Sequence, residues 1–374
     1  MAQSKSNSKK LANRRSFLKK GVWAAGATTL GAGLFTRGRS ARAQQSGPTP
    51  GDIAILQFLA AAEIIEADLW VQYSELGGTQ DADVSGANGG SPMYMAALQL
   101  LDGDMPQYIH DNAHDELSHA SFLNAYLQAN GASPVNLDQY RTLPSSTATG
   151  ANQIGRLTNL TQLTVDTSWW VRYRSKTNPD SGATFPDAVP SLNMGQHPAI
   201  PRSDDDLGGN DPTNISTHLQ AIAFTAGFHF AFIEQGGSSL YAALAQKVSS
   251  PEVLRILLSI GGSEIMHFQI WQDKAGNALP LTDVDPITGA TVTFTDLTSN
   301  QPDTLQANLL MPEPCDFINP SLPACAILRP TDPDQSGAVA AIQSFVNDGL
   351  FIGQPDSFTT MLLQLAAAAD QAHR

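Results

Sequence analysis

Cysteine is nearly missing from this 374-residue sequence, glutamate is scarce, and basic residues become sparse after the first forty-odd positions. Only Cys315 and Cys325 are present, too few for a zinc-thiolate site, and neither has the nearby histidine that a catalytic thiol needs. They stand close together in a Pro-rich stretch, so an oxidising compartment would close them into a small disulfide loop. Residues 1–43 hold ten Lys/Arg and no Asp/Glu, which leaves 11 basic and 35 acidic groups in 44–374, a balance of −24. So acidic a chain is a poor partner for nucleic acid or an anionic membrane and a good attractor of cations. Beyond residue 43 no segment reads as a transmembrane helix, which needs roughly 20 apolar residues.

The early basic residues have their own logic. Asn13-Arg14-Arg15-Ser16-Phe17-Leu18-Lys19 precedes an apolar run from Gly21 to Phe35 and then Ala41-Arg42-Ala43. This three-part layout is that of an export signal, here 1–43, with cleavage after Ala43. It resembles the twin-arginine translocation consensus, with Asn13 where Ser or Thr is more usual. That route carries folded proteins and implies a periplasmic or otherwise exported product, able to acquire metal before transport.

Residues 44–51 read as a linker, followed by four segments of helical periodicity at 52–76, 105–130, 214–248 and 251–275. Ser250-Pro251 supplies an N-cap and a first-turn proline, Gly131 and Gly276 sit just past two ends, and Asp211-Pro212 with Asn214 marks the start of the third. Residues 77–104 read as a Gly/Asp/Asn-rich hairpin connection, and 132–213 as a crossover without a long amphipathic helix. Past 276 a short strand at Thr291–Phe294 and two final helices at 336–349 and 356–372 form a mixed appendage, 277–374. The expected fold is therefore all-α: a four-helix bundle over 52–276 with a long crossover between its second and third helices.

Against 27 Asp there are only eight Glu, so the position of each glutamate is informative. Projected around the helix axis, Glu63 shares a stripe with Leu56, Leu59 and Trp70, while Gln57, Asp68 and Gln72 point to the far side. Glu116 falls with Ile109, Leu123 and Leu127, Glu234 with Phe230 and Tyr241, and Glu264 with Leu257, Ile260 and Trp271. Four helices thus aim a carboxylate into the core, where a lone charge costs several kcal/mol unless it is protonated, paired or metal-bound. Lys247, Arg255 and Lys274 are the only basic residues on those segments, and Arg255 projects opposite Glu264, so metal cations are the natural partners. Both Glu116-Leu117-Ser118-His119 and Glu264-Ile265-Met266-His267 read Glu-x-x-His, a spacing that puts both side chains on one helical face. Eight Glu and eight His give a chance expectation of about 0.17 such pairs, so two on equivalent helices are a signal. The unit also repeats: Glu63 precedes Trp70 by seven residues and Glu234 precedes Tyr241 by seven, each followed by one Glu-x-x-His.

In these residues the chain resembles the ferritin-like superfamily of di-iron and di-manganese carboxylate proteins, which draw one Glu from each of two helices and a Glu-x-x-His from each of the others. Leu59 to Trp70 is similar to the first-helix signature of exported bacterial ferritin-like domain proteins related to plant desiccation-associated proteins. The resemblance covers about 52–275. It implies that Glu63, Glu116 and His119 serve one ion, that Glu234, Glu264 and His267 serve the other, and that Glu116 and Glu264 bridge them. Carboxylate and imidazole ligands suit two iron or manganese ions. The activity so implied is redox chemistry with peroxide or dioxygen, catalase-, peroxidase- or ferroxidase-like. The alternatives are a non-enzymatic stress or desiccation protein that sequesters metal, and a bundle that has lost its ions. Oligomeric state stays open.

Other residues read more plainly. Glu66, on the flank of Glu63, is the lesser candidate for the first-helix ligand, and Trp70 stands where relatives often carry tyrosine. His110, His114 and His229 read as surface groups or as partners of the ligands, and Tyr241 as a core aromatic. Arg172-Tyr173-Arg174-Ser175-Lys176 suits ordinary salt bridges, and Asp204-Asp205-Asp206 a solvated turn rather than a calcium loop. Export is expected to require the arginine pair. Replacing Arg14 and Arg15 with lysine should strand the precursor in the cytoplasm on fractionation, and undiminished periplasmic delivery would contradict the assignment.

Overall fold

The computed structural model describes residues 47–84, 89–170, 186–297, 312–313, 319, 321–323, 325–326 and 337–373. Residues 1–43, expected to be an export signal, the 172–176 basic cluster and Cys315 lie outside these residues. Four long helices dominate: α1 (Pro50–Gly77), α3 (Met105–Ala129), α5 (Thr217–Ala245) and α6 (Pro251–Ala275). Between them come the short α2 (Pro92–Leu98) and α4 (Pro190–Met194). Then follow β1 (Leu281–Val284) and β2 (Thr291–Phe294), paired antiparallel with Leu281 opposite Phe294, and β3 (Pro312–Glu313) with β4 (Cys325–Ala326). Last come α7 (Ala338–Asn347) and α8 (Asp356–Asp370). The fold is all-α with minor sheet. No helix among the described residues is long and apolar enough to cross a membrane.

Local chemistry sets the helix ends. Thr49 and Asp52 form a capping box at α1 behind Pro50, so the helix begins inside the stretch read as linker. Ser216, rather than the Asp211–Asn214 segment, caps α5, which starts three residues later than expected. The 77–104 connection holds α2, started by Ser91 and Pro92. Asp52 does a second job, accepting the backbone N–H of Ser249 (2.7 Å) and Ser250 (3.2 Å) and so tying the start of α1 to the α5–α6 turn.

α1 packs on α3 and α5 on α6, two helical hairpins whose facing surfaces carry the glutamates. The first helix has no outer face, because α8 lies along it and the crossover covers the rest. Asp68 and Gln72, read from the sequence as outward-facing, are buried. Asp68 accepts the backbone N–H of Leu157 and Thr158 (3.0 Å each) and the Arg141 guanidinium (2.6 Å), while Gln72 donates to the Thr158 hydroxyl (2.8 Å). One turn on, Glu75 takes a charge-assisted hydrogen bond from Arg156 and another from Asn152 (2.7 Å). Both partners of the Arg156–Glu75 pair are buried. The Asp-rich 204–206 stretch is likewise only partly solvated: Asp206 is buried between Arg202 (2.8 Å) and His218 (3.1 Å), while Asp204 caps Thr149.

Breaking a buried pair strands a charge, so Arg156→Leu is expected to lower unfolding free energy by about 3–5 kcal/mol in urea. The double variant Arg156→Leu with Glu75→Leu should recover most of that loss. A single variant as stable as the parent would show that the pair does not pin the crossover.

Candidate metal centre

Glu63 on α1, Glu116 and His119 on α3, Glu234 on α5, and Glu264 and His267 on α6 converge between the two hairpins, all buried except His119, whose side chain is 11% exposed. They form two overlapping groups: Glu63, Glu116, His119 and Glu264, and Glu116, Glu234, Glu264 and His267. Within each group one ligand atom per residue lies within 4.8 Å of all the others. Glu116 and Glu264 belong to both. The two oxygens of Glu116 divide between the groups, Oε2 at 3.1 Å from His119 Nδ1 and Oε1 at 3.2 Å from His267 Nδ1. His119 Nδ1 also faces Glu63 Oε2 (3.3 Å) and Glu264 Oε1 (3.5 Å), and His267 Nδ1 faces Glu234 Oε2 (3.2 Å).

The far nitrogens fix the imidazole tautomers. His119 Nε2 lies 3.1 Å from Ser263 Oγ, whose own proton goes to the Ile260 carbonyl, and His267 Nε2 lies 3.1 Å from Asp115 Oδ2. Each Nε2 is therefore an N–H donor, so Nδ1 is the nitrogen that faces the carboxylate oxygens, sharing a proton with them in the metal-free protein and free to offer its lone pair to a metal once that proton leaves. Acceptors facing acceptors need a cation between them, a proton or a metal ion. Glu63 Oε2 and both oxygens of Glu264 are buried and accept no hydrogen bond, and a Cβ at Gly237 would collide with Glu264 Oε2, so the glycine keeps room for that carboxylate. These bare oxygens and inward lone pairs fit metal ions.

Further residues hold the ligands. Asn112 donates to Glu116 Oε1 and Glu234 Oε1 (2.9 Å each), and Trp271 Nε1 donates to Asn112 Oδ1 (2.6 Å), which sets the orientation of the amide. The Tyr241 hydroxyl donates to Glu63 Oε1, a role beyond core packing. Trp70, its counterpart in the other hairpin, instead stacks on Trp271 at 5.3 Å and closes an apolar wall with Phe230. Glu66 is buried beside the cluster and belongs to neither group. Sequence reasoning passed over Asn112, Asp115 and Ser263, although the last two directly precede the Glu of each Glu-x-x-His. His110 and His229, expected at the surface or against the ligands, are buried in pairs of their own. His229 Nδ1 meets the Tyr73 hydroxyl (2.7 Å), and His110 meets Asp81 (2.8 Å) and Asp111 (3.1 Å). With Asp83, the Asp81–His110 pair makes a third, more open grouping. His114 is exposed.

Charge dictates the protonation pattern. Burial, then the Glu116 charge, pushes Glu63 from its ordinary 4.5 to about 8. Glu66, Glu234 and Glu264 also move up, chiefly through burial and then through neighbouring carboxylates. Burial acts on Glu116 in the same sense, but hydrogen bonds from both histidines outweigh it and hold it near about 2. His119 resists burial because the Glu116 and Glu63 carboxylates face its ring, and it rises to about 10, while His267 rises as well, held by Glu234 and Asp115.

A four-helix bundle with two such interlocking carboxylate–histidine clusters is a protein able to hold metal ions at its centre. A family model described as the ferritin-like domain matches residues 51–277, more than half of the chain, and the protein belongs to that family. Neither the curated proteins nor the solved structures compared gave a match.

In the metal-free protein the raised carboxyls bind more protons folded than unfolded, so stability falls as pH climbs from 4.5 through about 8. Asp348, raised to about 8 by burial and then Asp166, adds in the same direction. The His119 contribution is complete below 6.5 and fades as pH rises through about 10, while that of Glu116 is lost only as pH falls from 4.5 through about 2. The melting temperature of chelator-treated protein should therefore decline steadily from pH 5 to 8, and a rising profile would contradict the assignment.

Proposed function

We propose that this chain is an exported, periplasmic dinuclear iron or manganese protein that reacts with peroxide or dioxygen. What carries the reading is the pair of inward Nδ1 atoms joined by a split Glu116 carboxylate in a cluster with no lysine or arginine among the described residues that form it. Glu63, Glu116, Glu264 and His119 would hold one ion, and Glu116, Glu234, Glu264 and His267 the other. Four carboxylates balance two divalent cations, and mixed oxygen and imidazole donors favour iron and manganese over copper or structural zinc. Bound there, the two ions would supply a pair of electrons for reduction of peroxide or dioxygen. The chain's own contribution is placement: Tyr241 holds Glu63, Asn112 holds Glu116 and Glu234, and the Trp70, Phe230 and Trp271 wall keeps water from one side.

Protein from cells supplied with iron and manganese is expected to carry about two ions per chain. It should show catalase or ferroxidase turnover and lose melting temperature on chelation. Glu116→Ala and Glu264→Ala, which remove groups shared by both ions, should cost more metal than Glu63→Ala, and Glu66→Ala should leave most of it in place. Metal-free protein whose stability ignores chelators would reject the reading.

A further inference from the structure

The two halves of the cluster are built unequally, and the difference lies one position before each Glu-x-x-His. Asp115 precedes Glu116 and receives the Nε2–H of His267 (3.1 Å), across the bundle on α6. Ser263 precedes Glu264 and receives the Nε2–H of His119 (3.1 Å), across the bundle on α3. The same crossed arrangement thus ends on a carboxylate in one direction and on a hydroxyl in the other. A charged acceptor draws the Nε2 proton toward itself and makes Nδ1 a stronger donor to a metal, whereas a hydroxyl does so weakly. This hydroxyl already spends its proton on the Ile260 carbonyl and offers only a neutral lone pair.

Rigidity follows the same division. Around His267, Asn112 fastens Glu116 and Glu234, and Trp271 fastens Asn112. Around His119, the position matching Asn112, four residues before Glu264, is the aliphatic Ile260. Glu63 there has the Tyr241 hydroxyl on one oxygen and nothing on the other, and Glu264, which both groups share, accepts nothing on either oxygen. Ligands already held in place give up less freedom on binding.

We infer that the two ions enter in a fixed order, the first on the His267 side because Asp115 and Asn112 prepare it, the second and weaker on the His119 side. Asp115 and Ser263 are positioning residues that set the two affinities apart. This rests on the dinuclear reading above.

Manganese(II) alone is the probe, titrated into the full-length mature protein while the electron paramagnetic resonance signal of the free ion is followed. Two phases are expected, one ion in each. Repulsion between neighbouring ions would also give two phases, so the order is read from variants. His267→Ala should remove the tighter phase and His119→Ala the weaker one. Asp115→Asn keeps the shape and removes the charge at a side chain that is 43% exposed. It should weaken the tighter phase by roughly 10–100-fold and leave the weaker one in place. Ser263→Asp should do the reverse, strengthening the weaker phase until the two approach each other. Two ions of equal affinity in the parent, or an Asp115→Asn protein whose tighter phase is unmoved, would overturn the order while leaving the dinuclear site standing. A protein that takes up no manganese would overturn both.

Discussion

Five glutamates buried in one bundle core, with two histidines and no lysine or arginine among them, are the constraint from which the rest of the structure follows. Removed from water, that much negative charge is tolerable only if cations enter or protons are retained. The chain provides for both states. With metal absent, protons stay on Glu63 and its neighbours and on both imidazoles, and Glu116 alone remains firmly ionised between the two rings. With metal present, the same lone pairs and carboxylate oxygens already point at the places where cations would sit. The bundle, the capping ties at Asp52 and the glycine at position 237 serve to keep those atoms in register.

The four-helix core was legible because its chemistry is periodic and its glutamates are rare. Helical spacing alone puts Glu63, Glu116, Glu234 and Glu264 on apolar stripes, and the structure brings all four to one place together with His119 and His267. Long-range contacts were not legible. Asp68 and Gln72 look like an outer face by projection, yet they are sealed beneath Leu157 and Thr158, about ninety positions away in sequence. His110 and His229, partnered by Asp81 and Tyr73, were misjudged for the same reason, whereas Asp206 is buried by the nearer Arg202 and His218. A polar residue whose partner comes from a distant segment has the same local pattern whether it is solvated or buried.

Between these extremes stand residues whose signal was present but unused. Asp115 and Ser263 adjoin the motif that was recognised, and Asn112 sits one helical turn before Glu116 on the same face, a place where a buried amide needs a reason. The repeat of a Glu followed seven residues later by an aromatic was visible, but not the divergence within it. Tyr241 turns its hydroxyl on Glu63 across the bundle, whereas Trp70 stacks on Trp271 and supports the amide of Asn112 only indirectly. Two hairpins with matching ligands have thus acquired different supports, and the asymmetry of the centre originates there.

The most direct measurement is anomalous X-ray diffraction from crystals grown with manganese or iron, recorded on both sides of the absorption edge of each metal. Two peaks about 3.5–4 Å apart, between the Glu116 and Glu264 carboxylates and each in contact with one Nδ1 atom of His119 or His267, are the expected result. Well-ordered side chains with no anomalous peak among them, or a peak confined to Asp81, Asp83 and His110, would contradict a dinuclear centre in this bundle.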